Sequence, residues 1–283
     1  MKTEIRRVMR NQLDFLYGPE QAPLLLARVE TILAKYRGQI HLRAGALTQR
    51  DSILIAYADQ VQKPGQKPLQ TLGIFCTELL ADLVSGIHIL PFYPWSSDDG
   101  FSVVDYREVD PNVGDWEDIA ALQAHFQLMF DGVINHISAQ SAWFKGFLRA
   151  DPRYRDYFIV VAGSPDLSQV VRPRTLPLLT TFKTSSGEKQ VWTTFSADQV
   201  DLNFQNPEVL LEILDILLMY VQHGAAFIRL DAIAYFWKEI GTSCIHHPKT
   251  HRVIQFLRTA LNEVAPQVQL ITETNVPHAD NLS

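Results

Sequence analysis

Phe227-Ile228-Arg229-Leu230-Asp231 is a short apolar run interrupted by one cation and closed by one anion. Side chains alternate along a strand, so this run sets Phe227, Arg229 and Asp231 on one face, and Ile228 and Leu230 on the other. Further along, Gln269, Ile271 and Glu273 share a face in the same way, placing a second carboxylate at the corresponding end of a second strand. In β/α barrels that end is where catalysis occurs. Two carboxylates on neighbouring strands, one beside an arginine, suit glycosyl transfer with retention. That chemistry needs a low-pKa nucleophile and a higher-pKa acid/base about 5 Å apart. The same residues suit a structural arrangement equally well, with Arg229 and Asp231 as a buried ion pair and Glu273 as an ordinary surface residue.

The elements that must position these groups follow from the apolar pattern. Short runs at 53–58, 86–90, 128–134, 225–230 and 268–272 predict strands, with amphipathic helices at 69–84 and 115–126 between them. Strand and helix in alternation predict an α/β fold with a parallel sheet and crossover helices. One further helix is well punctuated. Asn206 can N-cap it, Pro207 suits its first turn, Gly224 stands just past its end, and Leu210, Leu211, Leu214, Leu217, Leu218 and Val221 form its apolar face. Residues 1–50 read as a helical segment, with an apolar face over 22–36. The stretch 138–197 is rich in Pro, Thr, Ser and Arg and offers no clean crossover helix, which predicts an inserted subdomain after the third strand. A closed eight-fold barrel takes roughly 250 residues, and roughly 170 remain here, room for about five β/α units. The expected organisation is therefore 1–50 helical, 51–137 first barrel part, 138–197 insertion and 198–283 second barrel part, truncated after strand 5.

Four ordered motifs carry a family resemblance. Asp131-Gly132-Val133-Ile134-Asn135-His136, Gln199-Val200-Asp201-Leu202-Asn203, Phe227 to Ala232, and Thr272-Glu273 resemble the successive conserved regions of the α-amylase family of glycoside hydrolases. Leu90-Pro91-Phe92-Tyr93-Pro94, Asp98-Asp99-Gly100-Phe101, Gly114-Asp115-Trp116-Glu117-Asp118 and Gly241-Thr242-Ser243-Cys244 are similar to its sucrose phosphorylase branch, which acts on sucrose, sucrose phosphate and glucosylglycerate. The resemblance runs from about Ser52 to His278. It implies a TIM barrel of the α-amylase type, a small-molecule α-glucoside and inorganic phosphate as partners, and no cofactor. Asp231 would be the nucleophile held ionised by Arg229, and Glu273 the acid/base. His136 and Asp98 would hold the glucosyl hydroxyls, Phe101 would give an apolar wall, and Tyr235 would line the acceptor side. In Arg172-Pro173-Arg174 the resemblance implies an arginine for phosphate, Arg174, against the plain alternative of a solvated surface arginine. An asparagine at the position of Asn135, sharing a strand face with Asp131, helps bind calcium in many amylases. The branch generally lacks that ion, so a structural role is expected. Cys244, His246, His247 and His251 are expected to be an acceptor-side loop rather than a metal site.

The sequence departs from the family in one respect. The family uses a third carboxylate, an aspartate after a histidine near the end of the seventh strand, and nothing here supplies that strand. His278-Ala279-Asp280 does not qualify, because Ala279 separates the pair. Little or no turnover is expected of these 283 residues alone. A hydrolase or transglucosylase of the same family, and a non-catalytic remnant, stand beside phosphorolysis as readings.

Composition excludes other classes. With 25 Lys and Arg against 31 Asp and Glu the net charge is −6, which argues against nucleic acid as a partner. Hydrophobic residues at 47% and charged ones at 20% lie far from the disordered regime. Two distant cysteines, Cys76 and Cys244, suggest neither a zinc site nor a redox pair, and with no apolar run of about 18 residues the expected setting is cytoplasmic, without a membrane.

Overall fold

Leu13 and Leu16 on one helix, and Leu25, Leu26, Val29 and Leu33 on the next, recur every three or four residues and are buried. In the computed structural model, which describes residues 2–40 and 47–274, these stripes belong to α1 (Thr3–Tyr17) and α2 (Ala22–Tyr36). His278-Ala279-Asp280 lies outside the described residues. The alternating part follows as β1 (Ile53–Ala56), α3 (Pro68–Leu79), β2 (Gly86–Ile89), α4 (Trp116–Gln123) and β3 (Gln127–Gly132). Next come β4 (His136–Ser138), α5 (Ala142–Leu148), β5 (Val160–Val161), β6 (Leu179–Thr184), β7 (Gly187–Trp192) and β8 (Gln199–Asp201). The chain returns to the alternating pattern with α6 (Pro207–Gln222), β9 (Ala225–Leu230), α7 (Pro248–Val264) and β10 (Gln269–Thr272).

The expected five strands pair in one parallel sheet, in the order β1-β2-β3-β9-β10. Asp131 on β3 pairs with Arg229 on β9, and Arg229 with Ile271 on β10, so these side chains share the inner face. Every residue of β2 is buried, whereas the outer strands are open: Ile55 on β1 is 64% exposed and Ile271 on β10 is 38% exposed. Closure of such a sheet takes eight strands. Helices cover its other face. On α6 the six predicted apolar residues are all buried, the Asn206 side chain accepts from the Glu208 backbone N–H at 3.0 Å, and Gly224 takes the positive φ of 102° that ends the helix. α4 starts at a reciprocal cap, Asp115 accepting from the Asp118 N–H while the Asp118 carboxylate accepts from the Asp115 N–H.

The third strand ends sooner than its apolar run, and this corrects one expectation. Pairing stops at Gly132, where a tight turn sends the Ile134 N–H to the Gly132 carbonyl at 3.0 Å. Asp131 and Asn135 therefore do not share a strand face: Asp131 reaches Arg229, and Asn135 lies beyond the turn against Lys238 and Asp201.

Within 138–197 the chain builds a separate antiparallel sheet, β5-β7-β6, over a small cluster of Val161, Val170, Leu178, Trp192 and, from another loop, Cys244. β4 and β8 pair antiparallel, His136 opposite Asp201, and close the base of this excursion. Among the described residues no helix is long and apolar enough to cross a membrane.

Candidate active site

A cavity of about 500 Å³ opens at the C-terminal ends of the parallel strands. The side chains to which the resemblance gives catalytic or substrate-binding roles all line it: Asp98, Phe101, His136, Arg174, Arg229, Asp231, Tyr235 and Glu273. Gln199, which stands in the second motif without an assigned role, lines it as well, together with Tyr57, Phe195 and Ile245, to which no motif points.

The charged centre is Arg229. Its Nη1 donates to Asp131 Oδ1 at 2.6 Å and to Asp231 Oδ1 at 3.2 Å, and its Nη2 lies 2.9 Å from Glu273 Oε1. Behind it, His88 Nε2 meets Asp131 Oδ2 at 2.7 Å and the Tyr93 hydroxyl donates to the Asp131 carbonyl at 3.1 Å, so Asp131 is fully enclosed. The chain turns sharply after β9: Ala232 takes a positive φ of 50°, which aims its N–H at Glu273 Oε2 at 3.3 Å. Burial opposes the charge on Arg229, but the surrounding carboxylates outweigh it and raise its pKa.

The expectation that Arg229 holds Asp231 at a low pKa needs correction. One guanidinium is divided among Asp131, Asp231 and Glu273. Burial first, and then the adjoining Glu273 carboxylate, push the Asp231 carboxyl up to about 8 against the pull of Arg229. Near neutrality the Asp231 carboxyl therefore retains its proton. The Asp231 side chain is only 12% exposed, whereas that of Glu273 is 37% exposed and faces the open cavity.

The second wall is held by a polar network. His136 Nε2 donates to the Phe101 carbonyl at 2.9 Å, and its Nδ1 accepts from Asn135 Nδ2 at 3.3 Å; burial pushes its pKa down, so the ring is neutral. Gln199 Nε2 donates to Asp98 Oδ2 at 2.9 Å and to the Phe101 carbonyl at 3.2 Å. Asp98 and Asp99 both have positive φ, 56° and 48°, and their loop is anchored by Ser96, Ser97 and Ser102 hydroxyls donating to Asp198 Oδ2 at 2.5, 2.5 and 2.8 Å. Arg174 comes from the far side, its Nη2 donating to Asp98 Oδ1 and Oδ2 at 3.3 and 3.2 Å and its guanidinium 5.8 Å from the Phe195 ring centre.

Beneath this wall Lys238, fully enclosed, puts its Nζ 2.7 Å from Asn135 Oδ1 and 2.5 Å from Asp201 Oδ2. Asp201 Oδ1 also accepts from the Thr194 N–H at 2.7 Å, and Oδ2 from the Thr194 hydroxyl at 2.6 Å. The amide oxygen of Asn135 thus serves an ammonium. Among the described residues no group of three His, Cys, Asp or Glu side chains is placed to hold a metal ion. In the loop after β9, Cys244 Sγ donates to the Glu239 carbonyl at 3.3 Å, and His247 Nδ1 caps α7 by accepting from the Lys249 N–H at 3.1 Å.

Residues 79–282 match the family model described as the alpha amylase catalytic domain. The chain belongs to the α-amylase family. Within it, the chain is 53% identical over 280 residues to the glucosylglycerate phosphorylase of Allomeiothermus silvanus, covering 99% of this chain and 50% of that protein. It is 52% identical to the glucosylglycerate phosphorylase of Spirochaeta thermophila, covering 97% and 48%. The crystal structure of sucrose 6F-phosphate phosphorylase from Thermoanaerobacter thermosaccharolyticum superposes with a TM-score of 0.74 at 30% identity, covering 81% of this chain and 49% of that one. The chain spans about half the length of the curated relatives it matches.

Proposed function

We propose that this chain carries the glucosyl pocket and the catalytic pair of a retaining α-glucoside phosphorylase, and that its substrate is a glucosylglycerate rather than sucrose. The observation that carries the reading is the sharing of Arg229 by Asp231 and Glu273, at 3.2 and 2.9 Å, on adjoining strand ends facing one cavity. Carboxyls this close to one guanidinium fit the narrow spacing of retaining enzymes, about 5 Å, better than the 6.5–9.5 Å or so of inverting ones. The relatives at 53% and 52% identity are named glucosylglycerate phosphorylases, while the sucrose 6F-phosphate enzyme stands at 30%, which supports the choice of substrate.

In this mechanism an Asp231 oxygen attacks the anomeric carbon while Glu273 gives its proton to the departing glycerate oxygen. The glucosyl group is then an ester of Asp231. Glu273, now a carboxylate, takes the proton of a phosphate hydroxyl, whose oxygen attacks the same carbon and releases glucose 1-phosphate and free Asp231. The first step requires Asp231 to be ionised and the proton to lie on Glu273. Positive charge growing at the anomeric carbon beside Asp231, and negative charge growing on the leaving oxygen beside Glu273, favour that distribution. His136, Asp98 and Gln199 hold the glucosyl hydroxyls, Phe101 and Tyr235 flank the ring, and Arg174 takes the phosphate. Residues 138–197 are the inserted subdomain that brings Arg174 to the barrel, between barrel parts 51–137 and 198–283 and after the helical segment 1–50.

The test offers glucosylglycerate or sucrose to the chain with and without phosphate. Glucose 1-phosphate formed only with phosphate, favoured from glucosylglycerate and lost in Asp231→Asn, is expected, at a low rate because the family's third carboxylate is not among the described residues lining the cavity. Glucose released without regard to phosphate would move the reading to a hydrolase. Binding of glucose without any turnover would move it to a non-catalytic sugar-binding remnant.

A further inference from the structure

Resting on this reading of the pocket, we propose that Asp98 and Arg174 couple its two ligands, so that a glucosyl group and an oxyanion bind cooperatively. Among the described residues two cations line the cavity, Arg229 and Arg174. Arg229 is engaged by Asp131, Asp231 and Glu273, and a fourth anion would have to displace one of them. The oxyanion therefore falls to Arg174, whose Nη2 is held on Asp98 at 3.3 and 3.2 Å. Asp98 is also the carboxylate a sugar hydroxyl would use, and Gln199 already donates to its Oδ2 at 2.9 Å. One carboxylate then faces two competing donors: the sugar hydroxyl from the cavity and the guanidinium from 138–197.

The geometry says which partner yields. Asp98 sits in a loop fixed by Ser96, Ser97 and Ser102 on Asp198, and its backbone is left-handed at φ 56°. Arg174 is a long side chain, 43% exposed, on a loop between β5 and β6. When a hydroxyl donates to Asp98, the carboxylate has less to offer Arg174, and the guanidinium turns to an oxyanion. An oxyanion bound on Arg174 likewise releases Asp98 for the sugar, because coupling between two sites is reciprocal. A half-exposed ion pair limits the effect to about two- to fivefold in each affinity.

The probes are glucose and inorganic phosphate, titrated calorimetrically into the 283-residue chain. Phosphate should bind about two- to fivefold tighter when glucose saturates the pocket. Asp98→Asn, whose side chain tolerates the left-handed backbone, should bind phosphate without glucose as tightly as the wild type does with it. Arg174→Gln should bind glucose about two- to fivefold tighter and ignore phosphate. Glucose binding intact, with one phosphate affinity in the wild type with and without glucose and in Asp98→Asn, would overturn the coupling and leave the sugar pocket standing. A wild-type chain that binds no glucose would remove the reading of the pocket itself, and the coupling with it.

Discussion

Arg229, Asp231 and Glu273 come to the cavity on strand ends of a parallel sheet, whereas Pro173, Arg174 and Phe195 come to it on loops of 138–197. The first group is held by a sheet whose β2 is wholly buried and whose β3 and β9 are closed by helices. The second hangs on β6 and β7, most of whose residues are half-buried or exposed, over a cluster of five buried apolar side chains. Atoms that must stay within fractions of an ångström belong on the first kind of support, and groups that must adapt to an incoming ligand on the second. Chemistry is therefore expected from the sheet and ligand capture from the excursion. Removing the nucleophile with Asp231→Asn should lower phosphorolysis by a factor on the order of 10³ to 10⁴, with KM for phosphate a minor part of the loss. If Arg174→Gln cost as much in kcat, the division would fail.

Lys238 joins the two regions, since its ammonium ties Asn135, just past β3, to Asp201 on β8. It is enclosed, and burial pushes its pKa down, yet Asp201 opposes that shift. Lys238→Met leaves the Asp201 carboxylate and the Asn135 amide oxygen without their cation in a dry site. A loss of about 3–5 kcal/mol in denaturant unfolding is expected. An equal loss from a lysine on β7 such as Lys189 would show that position at the joint has nothing to do with it.

The legibility of the sequence divides along the same line. Asp231 and Glu273 were readable because a strand's period of two puts Arg229 and Asp231, and Ile271 and Glu273, on one face whatever the rest of the fold does. The five parallel strands were readable from their apolar runs. The excursion was readable only as an interruption: Thr180, Thr181, Lys183 and Glu188 lie in strands that lack an apolar face, and the turn at Ser185-Ser186-Gly187 reads as punctuation without naming its partners. The apolar run continues through Ile134 and so puts Asp131 and Asn135 on one face, and only a tertiary turn at Gly132 separates them. Lys238 and Phe195 give no signal, and Gln199 gives only its place in a motif, since each acts through contacts far away in sequence. Lys238 meets Asn135 across 103 positions.

The raised Asp231 carboxyl gives a third expectation, with a sign. The folded chain raises Asp231 from an ordinary value of 3.8 to about 8, so between about pH 4 and pH 8 the folded state holds a proton that the unfolded state has lost. Its contribution is fully present below pH 4 and is lost as pH rises through 8. Asp231→Asn removes that slope. The variant should be more stable than the wild type by about 2 kcal/mol or more at pH 8, with the difference shrinking to nothing near pH 4. A variant no more stable at pH 8 than at pH 4, relative to wild type, would mean that Arg229 does hold Asp231 ionised. The strand ends would then carry no strain for the sake of chemistry, and that half of the contrast with the excursion would close.

The smallest expected effect separates two arginines a single residue apart. Arg172 and Arg174 flank Pro173, whose ring fixes its own φ. Arg174 reaches Asp98 in the cavity, while Arg172 is exposed, its Nη1 3.5 Å from the Leu176 carbonyl, and lines no part of the pocket. Arg172→Ala should leave stability within about 0.5 kcal/mol and phosphate affinity within about twofold. Were both arginines needed, the affinity would fall with either substitution, and phosphate would be answering to the field of a basic patch. Only a loss confined to Arg174 ties the anion to the guanidinium that Asp98 now holds. The pair thus measures whether the excursion contributes a placed side chain, as the strands do, or merely charge.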